Sequence, residues 1–303
     1  MADTSTLTRP APFGRLLTAM ITPFTADGAL DLTGAQKVAA HLVDSGNDGL
    51  VVSGTTGESP TTSDSERLDL LRAVLEAVGD RARVLAGVGS YDTAGTVAAA
   101  KAAERAGAHG LLVVTPYYNR PPQSGLLAHF RAVADATDLD VLLYDIPART
   151  GTPIATETLF ELAEHPRIVA VKDAKGDIHA STRVLAATDL AYYSGADEHN
   201  LALFAVGAVG AVSVVSHVAS GRYAAMIEAV DAGDLATARQ IDRGLIPVVR
   251  AMMMQTQGAI MAKAGVELLG VHDNRRMRLP LVDATEEEVS DLRDAMVGAG
   301  LLP

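Results

Sequence analysis

Lys172 directly follows the apolar run Ile168-Val169-Ala170-Val171. A lysine carried into a buried interior at the end of such a run is desolvated. That lowers the pKa of its ammonium and leaves free amine to attack a carbonyl carbon. The plain alternative is a lysine whose stem lies along apolar surface while its charge reaches water at a strand exit. The background composition and the neighbouring motifs favour the nucleophile. Of the 25 Lys and Arg residues only five are lysines, at 37, 101, 172, 175 and 263, so arginine is the default cation of this chain. Tyr144 ends another apolar run, Asp140–Tyr144, and its phenol can relay protons while a carbinolamine forms and loses water. A buried tyrosine can also simply satisfy its hydroxyl inside a core. The loop Gly54-Thr55-Thr56-Gly57-Glu58 offers backbone N–H groups and two hydroxyls, which suit a carboxylate or a keto-acid oxygen. Its alternative is an ordinary turn with a Thr cap; Glu58 reads as a brace for the loop. Arg149 lies just beyond Tyr144-Asp145-Ile146-Pro147, and its planar fork matches a carboxylate, against the alternative of a solvated loop arginine. Tyr117-Tyr118 in a Pro-flanked loop suits packing against another subunit, catalysis, or both.

Other chemistries find little support. There is no cysteine, hence no disulfide framework, thiolate metal site or cysteine nucleophile. The eight histidines show neither H-x-H nor H-E-x-x-H spacing, so no metal is expected; they read as surface or capping residues, with His217 satisfied near the last strand. No serine nucleophile elbow is present, and Gly87-Val88-Gly89 is only half of a dinucleotide loop. No cofactor is expected. The formal charge of −12 disfavours nucleic acid, whose phosphates an acidic surface repels. No run approaches the ~20 apolar residues of a membrane span. Asp3, Pro10 and Pro12 interrupt the start, and Leu16–Ile21 is too short for a signal-peptide core. A soluble cytoplasmic protein is the simplest expectation.

These residues must be positioned by the elements that carry them. Short apolar runs alternate with amphipathic helical stretches: Leu16–Ile21, Gly49–Val52, Arg83–Ala86, Gly110–Val114, Asp140–Tyr144, Ile168–Lys172, Ala191–Ser194 and Ala211–Val215. Continuous apolar character suits parallel strands buried on both faces. Segments such as Ser63–Val78 and Thr93–Ala106 read as helices, with Gly79, Gly107 and Gly233 as stops. Asp31, Asp64, Asp92 and Thr156 read as caps or starts. The expectation is an α/β fold, a (β/α)8 TIM barrel with a C-terminal helical extension. Such barrels run to about 250 residues and place catalytic groups at the C-terminal ends of their strands. Residues 1–14 read as a flexible tail, 15–232 as the catalytic barrel and 233–303 as a helical segment built as helix, loop, helix. Within that segment Met252-Met253-Met254 suits core or interface packing. Thr285-Glu286-Glu287-Glu288 suits a helix start.

In combination the motifs resemble the dihydrodipicolinate synthase/N-acetylneuraminate lyase family. The carriers are Gly54-Thr55-Thr56-Gly57-Glu58, Tyr117-Tyr118-Asn119-Arg120-Pro121-Pro122, Tyr144 through Gly151, and Val171-Lys172-Asp173-Ala174, in matching order and spacing over about residues 15–303. The resemblance implies that Lys172 forms an imine with pyruvate. It implies a proton relay of Thr55, Tyr144 and Tyr118, the last reaching in from a neighbouring subunit. It puts the pyruvate carboxylate on the loop around Thr55 and Thr56 and the carboxylate of L-aspartate 4-semialdehyde on Arg149. Gly195 and Val212 match positions that offer backbone contacts near the nucleophile. The implied product is 4-hydroxy-tetrahydrodipicolinate, in diaminopimelate and lysine biosynthesis, and the implied assembly is a homotetramer, a dimer of dimers. Thr55-Thr56 and Arg149-Thr150-Gly151 favour the synthase branch over the sialate lyases and keto-sugar-acid aldolases; a non-catalytic keto-acid-binding barrel should have lost Lys172, Tyr144 or Tyr118. Lysine-inhibited members line an interface pocket with His, Asn and acidic groups. The matching positions here are Asp64, Arg67, Tyr91 and Gly95, with Tyr117 kept, so feedback by L-lysine is expected to be weak or absent.

Overall fold

The computed structural model describes residues 10–303. Of the expected tail at 1–14, the first nine residues lie outside the described residues. In the remainder, Phe13 is buried and its backbone N–H donates to the hydroxyl of Tyr193, which in turn donates to the carbonyl of Gly14.

Eight strands form a closed parallel barrel in chain order: β1 (Leu16–Ala19), β2 (Gly49–Val52), β3 (Arg83–Gly87), β4 (Gly110–Val114), β5 (Val141–Asp145), β6 (Ile168–Asp173), β7 (Ala191–Ser194) and β8 (Gly210–Ser213). Nearly every strand residue is buried, as expected where one face meets the barrel interior and the other meets helices. The helices are α1 (Leu32–Asp44), α2 (Asp64–Val78), α3 (Thr93–Arg105), α4 (Gln123–Ala134), α5 (Pro147–Thr150), α6 (Thr156–Leu162), α7 (Ile178–Ala187), α8 (Asn200–Ala205), α9 (Ser216–Asp231), α10 (Leu235–Met253), α11 (Gly258–Leu268) and α12 (Glu286–Gly298). The described residues pack as two compact units, one of Leu85–Val212 with residues 10–15, the other of Leu16–Val84 with Ser213–Pro303.

In the first unit β4 to β7 are paired side by side. Asp92 caps α3 through the N–H groups of Ala94 and Gly95, and Asp177 caps α7 through Ala180. The register across three strands places Tyr144 beside Lys172 beside Tyr193, and Asp145 beside Asp173 beside Ser194. Asp173 accepts a hydrogen bond from Ser181 of α7, so the second of these rows turns toward the helices. Alternation along a strand then turns Tyr144 and Lys172 toward the barrel interior.

In the second unit Asp31 caps α1, and His272 holds that carboxylate at 3.0 Å. Asp64 starts α2, as expected, and Ser63 before it caps the helix in a reciprocal capping box with Glu66. Thr285 and Glu288 form a second such box at α12. The C-terminal region is helical, with three helices where two were expected. The additional one, α11, has nine of its eleven residues buried. A helix buried on nearly every side, its one lysine included, shows little amphipathic contrast in its sequence. His129 and His272 also differ from the surface reading, being 4% and 8% exposed.

Candidate active site

Lys172 and Tyr144 stand at the C-terminal ends of neighbouring strands, as backbone partners in the β5–β6 register. Both are buried, at 3% and 4% exposure. The Lys172 Nζ lies 4.1 Å from the centre of the Tyr144 ring, over its face. Burial pulls the ammonium pKa down to about 8; the negative charge of Asp197 opposes the shift and the positive charge of Arg149 adds to it. Desolvation therefore outweighs the neighbouring carboxylate, and the amine is available near neutrality. Its ring contact favours the cation by an amount too small to reverse this.

Gly195 explains how the lysine stem is accommodated. A Cβ at this position would lie 2.8 Å from Cγ and 3.0 Å from Cε of Lys172, and 3.1 Å from the carbonyl oxygen of Asp173. Only glycine leaves room for the stem to pass. The Gly195 N–H donates to that carbonyl at 2.8 Å, which ties β7 to β6 beside Lys172. Val212 is buried on β8, one residue beyond Ala211, the partner of Ser194.

Arg149 lies exposed on the single-turn α5, which Gly151 ends in the left-handed region at φ 75°. Arg120, two residues beyond Tyr118, donates from Nε to the Gly151 carbonyl at 3.1 Å. The loops that carry Tyr118 and Arg149 are thereby joined. Tyr118 itself is 93% exposed, with a positive φ of 71° that is strained for an aromatic residue. Tyr117 packs edge-on against Tyr91, with ring centres 5.6 Å apart, and Asn119 anchors the loop to the Tyr91 carbonyl.

Thr55 and Thr56 belong to the other compact unit, in the turn after β2; Thr56 is buried and Thr55 half-buried. Two of the turn's residues, Ser53 and Glu58, have left-handed backbone, at φ 55° and 54°. Glu58 braces the turn. Its carboxylate lies 2.5 Å from the Lys263 ammonium and accepts the backbone N–H of Arg278, while Thr22 donates to the Gly57 carbonyl. The sequence offered Glu58 as a brace but gave no partner for it, because Lys263 and Arg278 come from the far end of the chain.

Sequence reading also gave no role to Asp145, Asp173, Lys175 or Asp197. The first two occupy alternate positions to the residues singled out on β5 and β6, which is a signal the strand period could have supplied. Among the described residues, no group of three or more His, Asp or Glu side chains converges as a metal site would, and no helix is long and apolar enough to cross a membrane.

Comparison with known proteins places this geometry. The profile of the Dihydrodipicolinate synthetase family matches residues 12–298. A 4-hydroxy-tetrahydrodipicolinate synthase of Kineococcus radiotolerans is 62% identical over 301 residues, covering 99% of this chain and 98% of that one. One of Acidothermus cellulolyticus is 63% identical over 296 residues, covering 98% and 96%. Among solved structures, that of the enzyme from Cyanidioschyzon merolae with lysine bound aligns with a TM-score of 0.93 at 43% identity, covering 96% of this chain and 99% of that one. The chain belongs to the Dihydrodipicolinate synthetase family.

Proposed function

We propose that the chain condenses pyruvate with L-aspartate 4-semialdehyde, the reaction of 4-hydroxy-tetrahydrodipicolinate synthase, by way of an imine on Lys172. The observation that carries this reading is the Lys172 amine, buried over the Tyr144 ring with its pKa drawn down to about 8. The neutral amine attacks the ketone carbon of pyruvate, and the carbinolamine loses water to give the imine. Loss of a methyl proton gives the enamine, whose carbon attacks the aldehyde. The substrate's own amine then adds to the imine carbon, closes the ring and releases Lys172. Tyr144, Thr55 and Tyr118 carry the protons, and the Thr55-Thr56 turn holds the pyruvate carboxylate through N–H and hydroxyl donors. Gly195 and Val212 supply backbone contacts near the nucleophile. Arg149 pairs with the carboxylate of the aldehyde, a role its exposed guanidinium at a strand exit suits.

Tyr118 is so exposed, and so strained in its backbone, that a neighbouring subunit is its natural receptor. This supports a homo-oligomer; our reading is a cytoplasmic homotetramer in which residues 15–232 carry the chemistry and 233–303 assist assembly. Feedback by L-lysine is weak or absent. At the positions matching the lysine pocket, Arg67 pairs with Asp64 on the same helix, and Gly95 has no carboxylate to meet an ammonium. Borohydride reduction in the presence of pyruvate, followed by peptide mapping, tests the central step. The adduct is expected on Lys172 and lost, with turnover, in Lys172→Ala. An adduct on Lys37, Lys101, Lys175 or Lys263 sinks the reading, as does turnover of N-acetylmannosamine in place of the aldehyde.

A further inference from the structure

Behind Tyr144 and Lys172, on the helix side of β5 and β6, lies a buried ionic cluster. Asp145 follows Tyr144, Asp173 follows Lys172, and the two aspartates are partners in the strand register. Asp145 is 0% exposed, and the Lys175 Nζ lies 3.1 Å from its Oδ2. Both carboxylate oxygens of Asp145 also accept the Ile154 N–H at 3.2 Å, and the same Lys175 ammonium lies 3.5 Å from the Ile154 carbonyl. Asp173 is spoken for locally: it accepts the Lys175 N–H on Oδ1 and the Ser181 hydroxyl on Oδ2.

The segment from Asp145 to Ile154 contains Arg149. One carboxylate at its start therefore grips the N–H at its end, and one ammonium from the β6 exit closes over both. A buried ion pair contributes little net stability against well-packed apolar residues, because desolvation offsets the attraction. Its use here is geometric. We infer that Asp145 and Lys175 form a positioning pair that closes the Arg149 loop against the strand bearing Lys172, so fixing where the carboxylate of the second substrate is held. The inference rests on Arg149 being the anchor for that carboxylate.

The charges facing Asp145 are Lys175 from the β6 exit and Asp173 from β6; Tyr192 of β7, wholly buried, feels both aspartates and keeps its phenol proton. Burial raises the Asp145 carboxyl to about 6, with Lys175 opposing the shift and Asp173 adding to it. Protonation below that pH removes the charge that holds Lys175. The aldehyde KM should then rise on the acid side while the pyruvate step is spared.

The test compares wild type, Lys175→Met, Lys175→Arg and Asp145→Asn. Each is assayed for KM of the aldehyde from about pH 5 to about pH 8 and for the borohydride-trapped pyruvate adduct. Lys175→Met and Asp145→Asn should raise that KM by about tenfold or more, the scale of one lost positioning contact. Adduct formation should stay within about twofold, a spread too small to count as a lost contact. Lys175→Arg should recover most of the loss, and Lys175→Met should lack the acid-side rise. If Lys175→Met does not fold, the paired variant Asp145→Asn/Lys175→Met removes both charges together and should fold with the same raised KM. An unchanged aldehyde KM in a folded variant that still traps pyruvate overturns the inference alone. Absence of any adduct in the wild type overturns the proposed reaction, and this inference with it.

Discussion

The proposed chemistry turns on how far a single ammonium, that of Lys172, is displaced from its usual equilibrium. With its pKa near 8, Lys172 holds about one-tenth of its amine free at neutral pH, against roughly one part in three thousand for an ordinary lysine. Because the neutral form is the nucleophile in the proposed reaction, the initial rate of borohydride-trappable adduct formation should climb about tenfold per unit below pH 8 and level off above it. A rate that keeps climbing to about pH 10 would mean that the amine is solvated and burial is not what activates it. The same residue sets a steric condition. Gly195→Ala would put a methyl 2.8 Å from the Lys172 stem, so the stem must shift. Overpacking of this kind costs about 1–3 kcal/mol. Displacement of the amine by about 1 Å should lower kcat by about 100-fold. The expected signature is a large loss of kcat with a small change in melting temperature; wild-type kcat in Gly195→Ala would show that the stem tolerates the methyl.

Between residue and molecule, the C-terminal helices reach the turn expected to hold pyruvate. Glu58 and Lys263 are both nearly inaccessible, and the Lys263 ammonium also lies 4.1 Å from the Phe24 ring centre, with the Arg278 guanidinium 4.2 Å from the same ring. Lys263→Met leaves the Glu58 carboxylate buried without its cation, which should cost about 3–5 kcal/mol in denaturant unfolding. Adding Glu58→Gln should return most of that, since a neutral pair needs no compensating charge. If the double variant is no better than the single one, the pair is not the unit that matters. The contrast between strands and this clamp shows what a sequence discloses. Runs such as Gly49–Val52 and Gly110–Val114 were legible to the residue because strands buried on both faces leave an unbroken apolar run. Helix α11 was not, since nine of its eleven residues, Lys263 among them, are buried and its apolar residues mark no single face. Lys172, Tyr144 and the Thr55-Thr56 turn were legible as motifs. Their supports were not: the pairing of Asp145 with Lys175 needs the β5–β6 register, and that of Glu58 with Lys263 needs a contact between distant parts of the chain.

Buried titratable groups scattered through the whole chain set how it responds to acid. Burial holds His129 and His217 neutral, each with its pKa lowered to about 4; for His129 the Asp92 charge opposes, and for His217 the hydrogen bond to the Val214 carbonyl opposes. His217 accepts the Ile21 N–H on Nε2, which an imidazolium could not do. Both groups are depressed in the folded state, so the unfolded chain binds two protons that the native chain refuses between about pH 6.5 and about pH 4. Asp145 acts in the opposite sense. Its carboxyl, raised to about 6, takes up one proton in the native state over most of the same window. For these three groups the balance is about one extra proton on the unfolded chain, which lowers the unfolding free energy by about 1.4 kcal/mol per pH unit as the pH drops through this range; His41, also lowered by burial against the charge of Asp44, acts in the same sense as the other two histidines. Lower still, Glu66 joins in. The hydrogen bond from Arg278 holds its pKa at about 2, so its contribution is complete above its unfolded value of 4.5 and is lost as the pH falls toward 2. Chemical denaturation at a series of pH values measures the slope directly. Asp145→Asn should steepen it between about pH 6 and about pH 4, and His129→Asn with His217→Gln should flatten or reverse it. A slope that is unaffected by all three changes would place the acid sensitivity in groups other than these.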